Sequence, residues 1–195
     1  EGEQEIFSLD EMIKIWDPAR ISKAPAIFDP LKLRAINAAY IRALPAEEFR
    51  KLADSFIDQA VHVQIDRDLL CANLQPRCEV LEDIPPQLDF FDAVLPIDAE
   101  MYRNKKQKTT PESAKEALSA LLPVLEAQTD WSRDAIFEAC KQKAEAMEKK
   151  NGWLLFPLGI ALSGKARTPG GGTDLAAMMG KEETLRRLNA AIEAL

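Results

Sequence analysis

Few side chains in this sequence are of the kinds that make and break bonds. The one histidine, His62, sits in Ala60-Val-His-Val-Gln64. General-base work would need a partner, and no second histidine or nucleophile motif accompanies it, so it reads as a surface or capping residue. Cys71, Cys78 and Cys140 are odd in number and contain no Cys-x-x-Cys. A disulfide framework and a His/Cys zinc site are therefore not expected, and the three read as small core residues. Carboxylate pairs occur in exposed runs such as Glu47-Glu48 and Glu182-Glu183, where solvation is the default role. No catalytic residue, metal ligand or cofactor site is expected in this chain.

Binding chemistry is better represented. Gly170-Gly-Gly172 followed by Thr173-Asp174 lacks the Gly-Lys-Ser/Thr ending of a phosphate-binding P-loop and the Gly-x-Gly-x-x-Gly spacing of a dinucleotide site. Preceded by Lys165, Arg167 and Thr168, it could still bring backbone amides and cations close to an unstacked base or its phosphate. A turn with no partner fits the composition equally well. Charge points the same way. The chain carries 25 Lys/Arg against 32 Asp/Glu, a net −7, which argues against polyanion binding through overall basicity. From Lys141 onward, however, nine basic residues face six acidic ones. That part stands at +3 and the first 140 residues at −10. Arg103-Asn-Lys-Lys-Gln-Lys108 adds a second basic patch. Both are local polyanion-facing candidates, or solvated helix faces.

The elements that must position these residues are helical. Ser8 and Glu11 form a capping-box pattern ahead of Leu9, Met12, Ile13 and Trp16. Asp29-Pro30 opens a second helix with Leu33, Ile36, Tyr40 and Ala43 in period, broken at Leu44-Pro45. Pro45 opens a third, with Phe49, Leu52, Phe56 and Ile57 on one side, and Asp66 caps a fourth through Leu74. The acidic, proline-rich run 82–96 leaves little room for regular structure and marks a subdomain junction near residue 97. Thr110-Pro111 starts a helix that Pro123 should bend or interrupt. The next helix begins at Asp130 to Ser132 and should end at Asn151-Gly152. Trp153–Ser163 is a buried helix or a strand by composition, Gly164–Thr173 is a loop, and Glu182–Leu195 is an amphipathic last helix. With no sustained alternation, the fold class is all-α. At 195 residues, one domain or two small ones are expected. The longest apolar run covers about half a bilayer span. No basic, apolar leader opens the chain, so the sequence reads as a soluble, cytoplasmic protein with no membrane partner.

Several strings carry a specific resemblance. They are Phe7-Ser-Leu-Asp-Glu-Met-Ile13, Ala24-Pro-Ala-Ile-Phe-Asp-Pro-Leu-Lys-Leu33, Ile36-Asn37 and Tyr40-Ile-Arg-Ala-Leu-Pro45. Leu74-Gln-Pro-Arg-Cys78, Phe90-Phe91, Trp131, Pro157-Leu-Gly-Ile-Ala-Leu-Ser-Gly164, Thr168-Pro-Gly-Gly171 and Met179-Gly-Lys-Glu-Glu-Thr-Leu-Arg-Arg-Leu188 continue it over essentially the whole chain. Together they resemble the bacterial-type glutamyl-tRNA synthetases, a class I aminoacyl-tRNA synthetase family, after the catalytic core. The family's His-Ile-Gly-His and Lys-Met-Ser-Lys-Ser type signatures are absent, and Ile21-Ser-Lys-Ala24 is no substitute.

The resemblance implies the end of a stem-contact region over 1–44, a first helical anticodon-binding subdomain over 45–97 and a second over 98–195. It implies one part of a monomeric ligase that joins glutamate to tRNA, with ATP and Mg bound by a catalytic domain outside this chain, which alone would be inactive. The partners implied are the glutamate tRNA and, as a second candidate, the glutamine tRNA. By position in the family motifs, Arg77 faces the third anticodon base, and Lys141, Thr168 and Gly171 match further anticodon contacts. Lys32 and Arg34 lie where a stem phosphate would be met, and Phe156 is placed to stack on a base or to fill the core. Gly159 departs from the pattern: relatives carry an anticodon-contacting arginine there, so the resemblance does not carry over the family's usual recognition of the other bases. A standalone helical interaction or regulatory module related to the synthetases is the alternative reading.

Overall fold

The computed structural model describes residues 4, 6–21, 27–93 and 96–195. Among them there is no strand, and the chain is all-α as expected, with one isolated bridge between Asn104 and Thr109. Residues 24–26 of the Ala-Pro-Ala-Ile-Phe string and residues 22–24 of Ile21-Ser-Lys-Ala24 lie outside the described residues.

Helix starts follow the local chemistry. Ser8 caps α1 (Leu9–Ile15), with the Glu11 carboxylate reaching back to the Ser8 amide at 2.7 Å. The Asp29 side chain accepts from the amides of Leu31 and Lys32 to open α2 (Pro30–Ala43). α3 (Ala46–Ile57) buries Phe49, Ala53 and Ile57; Leu52, expected beside them, is 47% exposed because the buried stripe runs through every fourth residue. Asp66 caps α4 (Arg67–Leu74), and short 3₁₀ turns at Gln75–Arg77, Leu81–Asp83 and Pro85–Gln87 carry the chain through the proline-rich run.

Four expectations for the second half are corrected or resolved. α5 (Pro111–Ala127) is one helix through Pro123, so of the expected bend or interruption the interruption does not occur. The proline and Ser119, whose carbonyl loses its helical partner, both lie on the exposed face, while Leu121 and Leu125 hold the other face in the core. α6 (Arg133–Ala146) stops short of Asn151-Gly152. Glu148 adopts φ 54° and the Lys149 amide reaches back to the Ala144 carbonyl at 2.9 Å, a left-handed closure without glycine. Asn151-Gly152 instead form the first turn of α7 (Asn151–Ser163), which settles the helix-or-strand ambiguity. α7 buries residues on every side, as a central helix must. The loop after it ends at Gly171, and α8 (Gly172–Met179), which the sequence did not announce, precedes α9 (Lys181–Ala194). α8 is stabilised at its start by Asp174, whose carboxylate accepts from the Gly171 amide at 2.7 Å and is gripped by Arg133 at 3.0 Å.

The buried side chains form one continuous core from Ile41 to Ala191. α7 lies at its centre, packed by α5, α6, α8 and α9. α3 and α4 attach to it through α8, with the Asp66 amide donating to the Met178 carbonyl at 3.0 Å. Arg187, only 1% exposed, fastens these parts together. Its guanidinium donates to the carbonyls of Phe90 (2.7 Å), Leu162 (2.7 Å) and Phe91 (2.8 Å) and to the Glu183 carboxylate (2.5 Å). Burial of a charge is tolerated because its donors are almost all engaged. Lys181 closes the other end of α9's first turn onto the C-terminal carbonyls of α5, at Glu126 (2.6 Å) and Gln128 (2.8 Å).

Arg187→Met keeps the volume but strands three buried carbonyls and Glu183. A loss of about 3–5 kcal/mol is expected, read as a fall in melting temperature of roughly 6–20 °C. Glu183 gives a second prediction. Arg186 first, then Arg187, hold its carboxyl down at about 2 against the opposing effect of burial. The stability it contributes is complete above about pH 4.5 and lost as pH falls toward 2. The stability gap between the wild type and Glu183→Gln should therefore narrow over that window, measured by denaturant unfolding at stepped pH.

Candidate nucleic-acid interface

A short stretch of α7 forms the floor of a wide cleft. Leu155, Phe156, Gly159 and Ile160 fall on one face of the helix. The 165–172 loop walls one side, and Arg77 and Gln87, from the first half of the chain, wall the other. The enclosed volume is about 630 Å³. Its lining includes Arg77, Lys165 and Arg167 and no carboxylate, in a protein whose net charge is −7. Four other clefts that hold basic side chains differ. They carry an acidic residue in the lining or, beside α9, the already paired Arg187.

Arg77 is placed by its neighbours rather than by its own contacts. Gln75 donates to the carbonyls of Ile41 (3.0 Å) and Leu44 (2.8 Å), which caps the end of α2. Asn37 donates to the Glu79 carbonyl at 2.6 Å, and Arg34 pairs with Glu79 at 2.9 Å and with Asp83. The turn between these two anchors can only present Arg77 across the cleft, where its guanidinium donates to the Thr168 carbonyl at 3.3 Å. No carboxylate pairs with it among the described contacts; Glu79 is taken by Arg34.

The opposite wall is a chain of local bonds. Thr168 Oγ1 donates to the Gly170 carbonyl at 2.6 Å, turning the loop toward α8. Gly172 lies so close to α7 that a Cβ there would stand 2.8 Å from the Leu155 carbonyl and 2.9 Å from the Gly159 nitrogen, so this crossing requires a glycine. Lys165 turns partly away from the cleft. It pairs with Asp89, donates to the Pro86 carbonyl at 3.0 Å and lies 5.9 Å from the Phe90 ring centroid. Arg167 is exposed at the rim, with no partner among the described residues.

Of the residues singled out from the sequence, the fold thus brings Arg77, Thr168, Gly171, Phe156 and Gly159 to one cleft. Lys141 lies outside its lining, on α6, and pairs with Glu138 at 3.3 Å. Lys32 is exposed on the first turn of α2, and Arg34 is committed to Glu79 and Asp83. The 103–108 cluster forms the turn closed by the Asn104–Thr109 bridge, away from the cleft. His62 is exposed, and Asp92 accepts from its backbone amide (2.7 Å) and its Nδ1. All three cysteines are free and buried, and burial raises the Cys71 thiol to about 11 and Cys140 to about 12. Gln87, Leu155, Ile160 and Ala166 line the cleft without having been singled out from the sequence. Gln87 has no motif around it, whereas Leu155 could have been found by taking the residue one turn before Gly159.

Comparisons with known proteins bear on the family. The family model described as an anticodon binding domain matches residues 31–192. A glutamate–tRNA ligase of Clostridium botulinum is 42% identical over 194 residues, covering 100% of this chain and 40% of that protein. One from Clostridium acetobutylicum is also 42% identical, over 196 residues, with 100% and 40% covered. The crystal structure of a glutamate tRNA ligase from Elizabethkingia meningosepticum superposes with a TM-score of 0.80 at 29% identity, covering 98% of this chain and 38% of that one. The chain thus spans about 40% of the length of the curated relatives it matches. With that match running from the first turn of α2 into α9 and enclosing the whole cleft, the chain belongs to the anticodon-binding domain family.

Proposed function

We propose that this chain is the tRNA-recognising part of a glutamate–tRNA ligase and that it takes the anticodon loop of the glutamate tRNA into the α7 cleft. The observation that supports this most strongly is the carboxylate-free lining with three basic side chains. A polyanion gains there what the net −7 elsewhere would deny it. In this reading Arg77 meets the third anticodon base. Its guanidinium offers only donors, which suits the acceptors on the pairing edge of cytosine and disfavours guanine. Thr168 and Gly171 present backbone and hydroxyl groups to the neighbouring nucleotides, and Phe156 offers a face for stacking. Lys141 and Lys32 serve phosphates outside the cleft. Arg34 works indirectly, by fixing the Arg77 turn.

Activation of glutamate with ATP and Mg belongs, on this reading, to the part of the relatives that this chain does not span. The subdomain limits near 45 and 97, a monomeric state and cytoplasmic residence are proposed with it. No helix among the described residues is long and apolar enough to cross a membrane.

Arg77→Gln should relax discrimination between anticodons ending in C and in G, because an amide presents an acceptor as well as donors. In the complete ligase, the ratio of charging efficiencies for the glutamate and glutamine tRNAs should move by about 5–150-fold. Melting should stay nearly unchanged, since the side chain is exposed and gives up one 3.3 Å bond. A lowered melting temperature with an intact ratio would assign Arg77 to stability alone. Salt supplies the second check. Two or three phosphate contacts to a single-stranded loop predict a roughly 7–20-fold weaker dissociation constant at 200 mM than at 50 mM salt. A salt-independent constant would contradict phosphate contact.

A further inference from the structure

The glycine wall of the cleft does not stand by itself. Its bonds run back to α6, an element that contributes no residue to the lining. Asp174, in the first turn of α8, divides its carboxylate between two partners. Oδ2 accepts from the Gly171 amide at 2.7 Å, and Oδ1 accepts from Nε of Arg133, the first residue of α6, at 3.0 Å. The Asp174 side chain is only 13% exposed, so it is packed rather than solvated. Gly170 rests directly on it. A Cβ at 170 would stand 2.5 Å from the Asp174 Cβ, and one at 171 would stand 3.4 Å from Oδ2. The backbone of both glycines therefore follows the position of one carboxylate.

That carboxylate is fixed from its far side. Arg133 is itself held, with Nη1 donating to Asp134 at 2.8 Å and the guanidinium 5.7 Å from the Phe137 ring centroid. Two residues earlier, Trp131 Nε1 donates to the Ala176 carbonyl at 2.9 Å, so α8 is tied to the beginning of α6 at two points. In the other direction the bonds continue into the cleft. Thr168 Oγ1 donates to the Gly170 carbonyl, and the Thr168 carbonyl accepts from Arg77. One connected set of contacts thus runs from α6 through Asp174 and the glycines to the guanidinium on the opposite wall.

We infer that Arg133 and Asp174 are a positioning pair for tRNA recognition. Neither lines the cleft; together they set the Thr168–Gly171 wall and, through the Thr168 carbonyl, the direction in which Arg77 is presented. The inference rests on the anticodon reading of the cleft.

The test uses the complete ligase and two RNAs, the glutamate tRNA and the same tRNA with a scrambled anticodon loop. Arg133→Gln, Asp174→Asn and Asp174→Ala are compared for binding and melting, each alone and combined with Arg77→Gln. Arg133→Gln should weaken binding of the glutamate tRNA by roughly 2–30-fold and barely move binding of the scrambled one. Asp174→Asn, which keeps an acceptor for the Gly171 amide, should act in the same direction and less. Asp174→Ala, which gives up both contacts, should act most. Combined with Arg77→Gln, each loss should be smaller than in the wild-type background, because part of it passes through the residue already changed. Asp174→Ala also removes a helix cap and should melt lower, so the asparagine variant decides where melting falls. Unchanged binding in both Arg133→Gln and Asp174→Asn would overturn the inference. So would losses that multiply fully with Arg77→Gln, or losses equal for the two RNAs with lowered melting, which would leave the pair a purely structural role. Failure of the underlying reading looks different: wild type would not distinguish the two RNAs, and Arg77→Gln alone would change nothing.

Discussion

A single buried guanidinium sets the frame on which the cleft is built. Arg187 joins the last turn of α7, through the Leu162 carbonyl, to the Phe90-Phe91 backbone. Those two segments lead directly to opposite sides of the cleft. Gly159, on its floor, is three residues before Leu162, and Gln87, in its wall, is three residues before Phe90. A charged group serves better here than an apolar one because it bonds three carbonyls in a fixed plane and so fixes direction as well as separation. Glu183 completes the set and keeps the charge balanced as it is taken out of water.

The distribution of acids follows the same economy. An overall negative protein can offer a basic cleft only if its carboxylates are held elsewhere, and many are bound to structural duties. Asp174 stabilises the start of α8 and engages Arg133, Glu79 and Asp83 hold Arg34, and Asp89 holds Lys165. Asp174, Glu79 and Asp83 are thus engaged by other cations, whereas Asp89 offsets Lys165 and leaves Arg77 and Arg167 as the lining cations without a carboxylate partner among the described residues. Arg77 is left with a neutral carbonyl as its partner, which a nucleotide acceptor can replace at small cost.

Local rules of helix initiation were legible because their causes are local. Ser8 with Glu11, Asp29-Pro30, Asp66 and Thr110-Pro111 each place an acceptor where first-turn amides need one. The misread positions are those where tertiary context decides. Pro123 is harmless because its face of α5 meets solvent, and Asn151-Gly152 starts a helix because Glu148 had already ended the previous one. α8 was invisible because its buried apolar residues, Leu175, Ala176 and Met178, span about one turn. In the cleft, motif positions such as Arg77 and Thr168 could be named from the chain. That they meet across 91 residues could not, nor that Arg34 would be engaged by the segment behind Arg77.

α2 gives this arrangement a mechanical side. Only Ala38 and Ile41 of its fourteen residues are buried, and it is tied to the body through Arg34, Asn37 and the Gln75 cap. At 1.5 Å per residue it is a rod of about 21 Å, held from Arg34 to its C-terminal end, with its first turn outside the buried core. The clamp is the same turn that carries Arg77. The position of that turn is therefore tied to the position of α2, whose first turn carries Leu31, 78% exposed. Helix and Arg77 turn share one set of anchors beside the cleft.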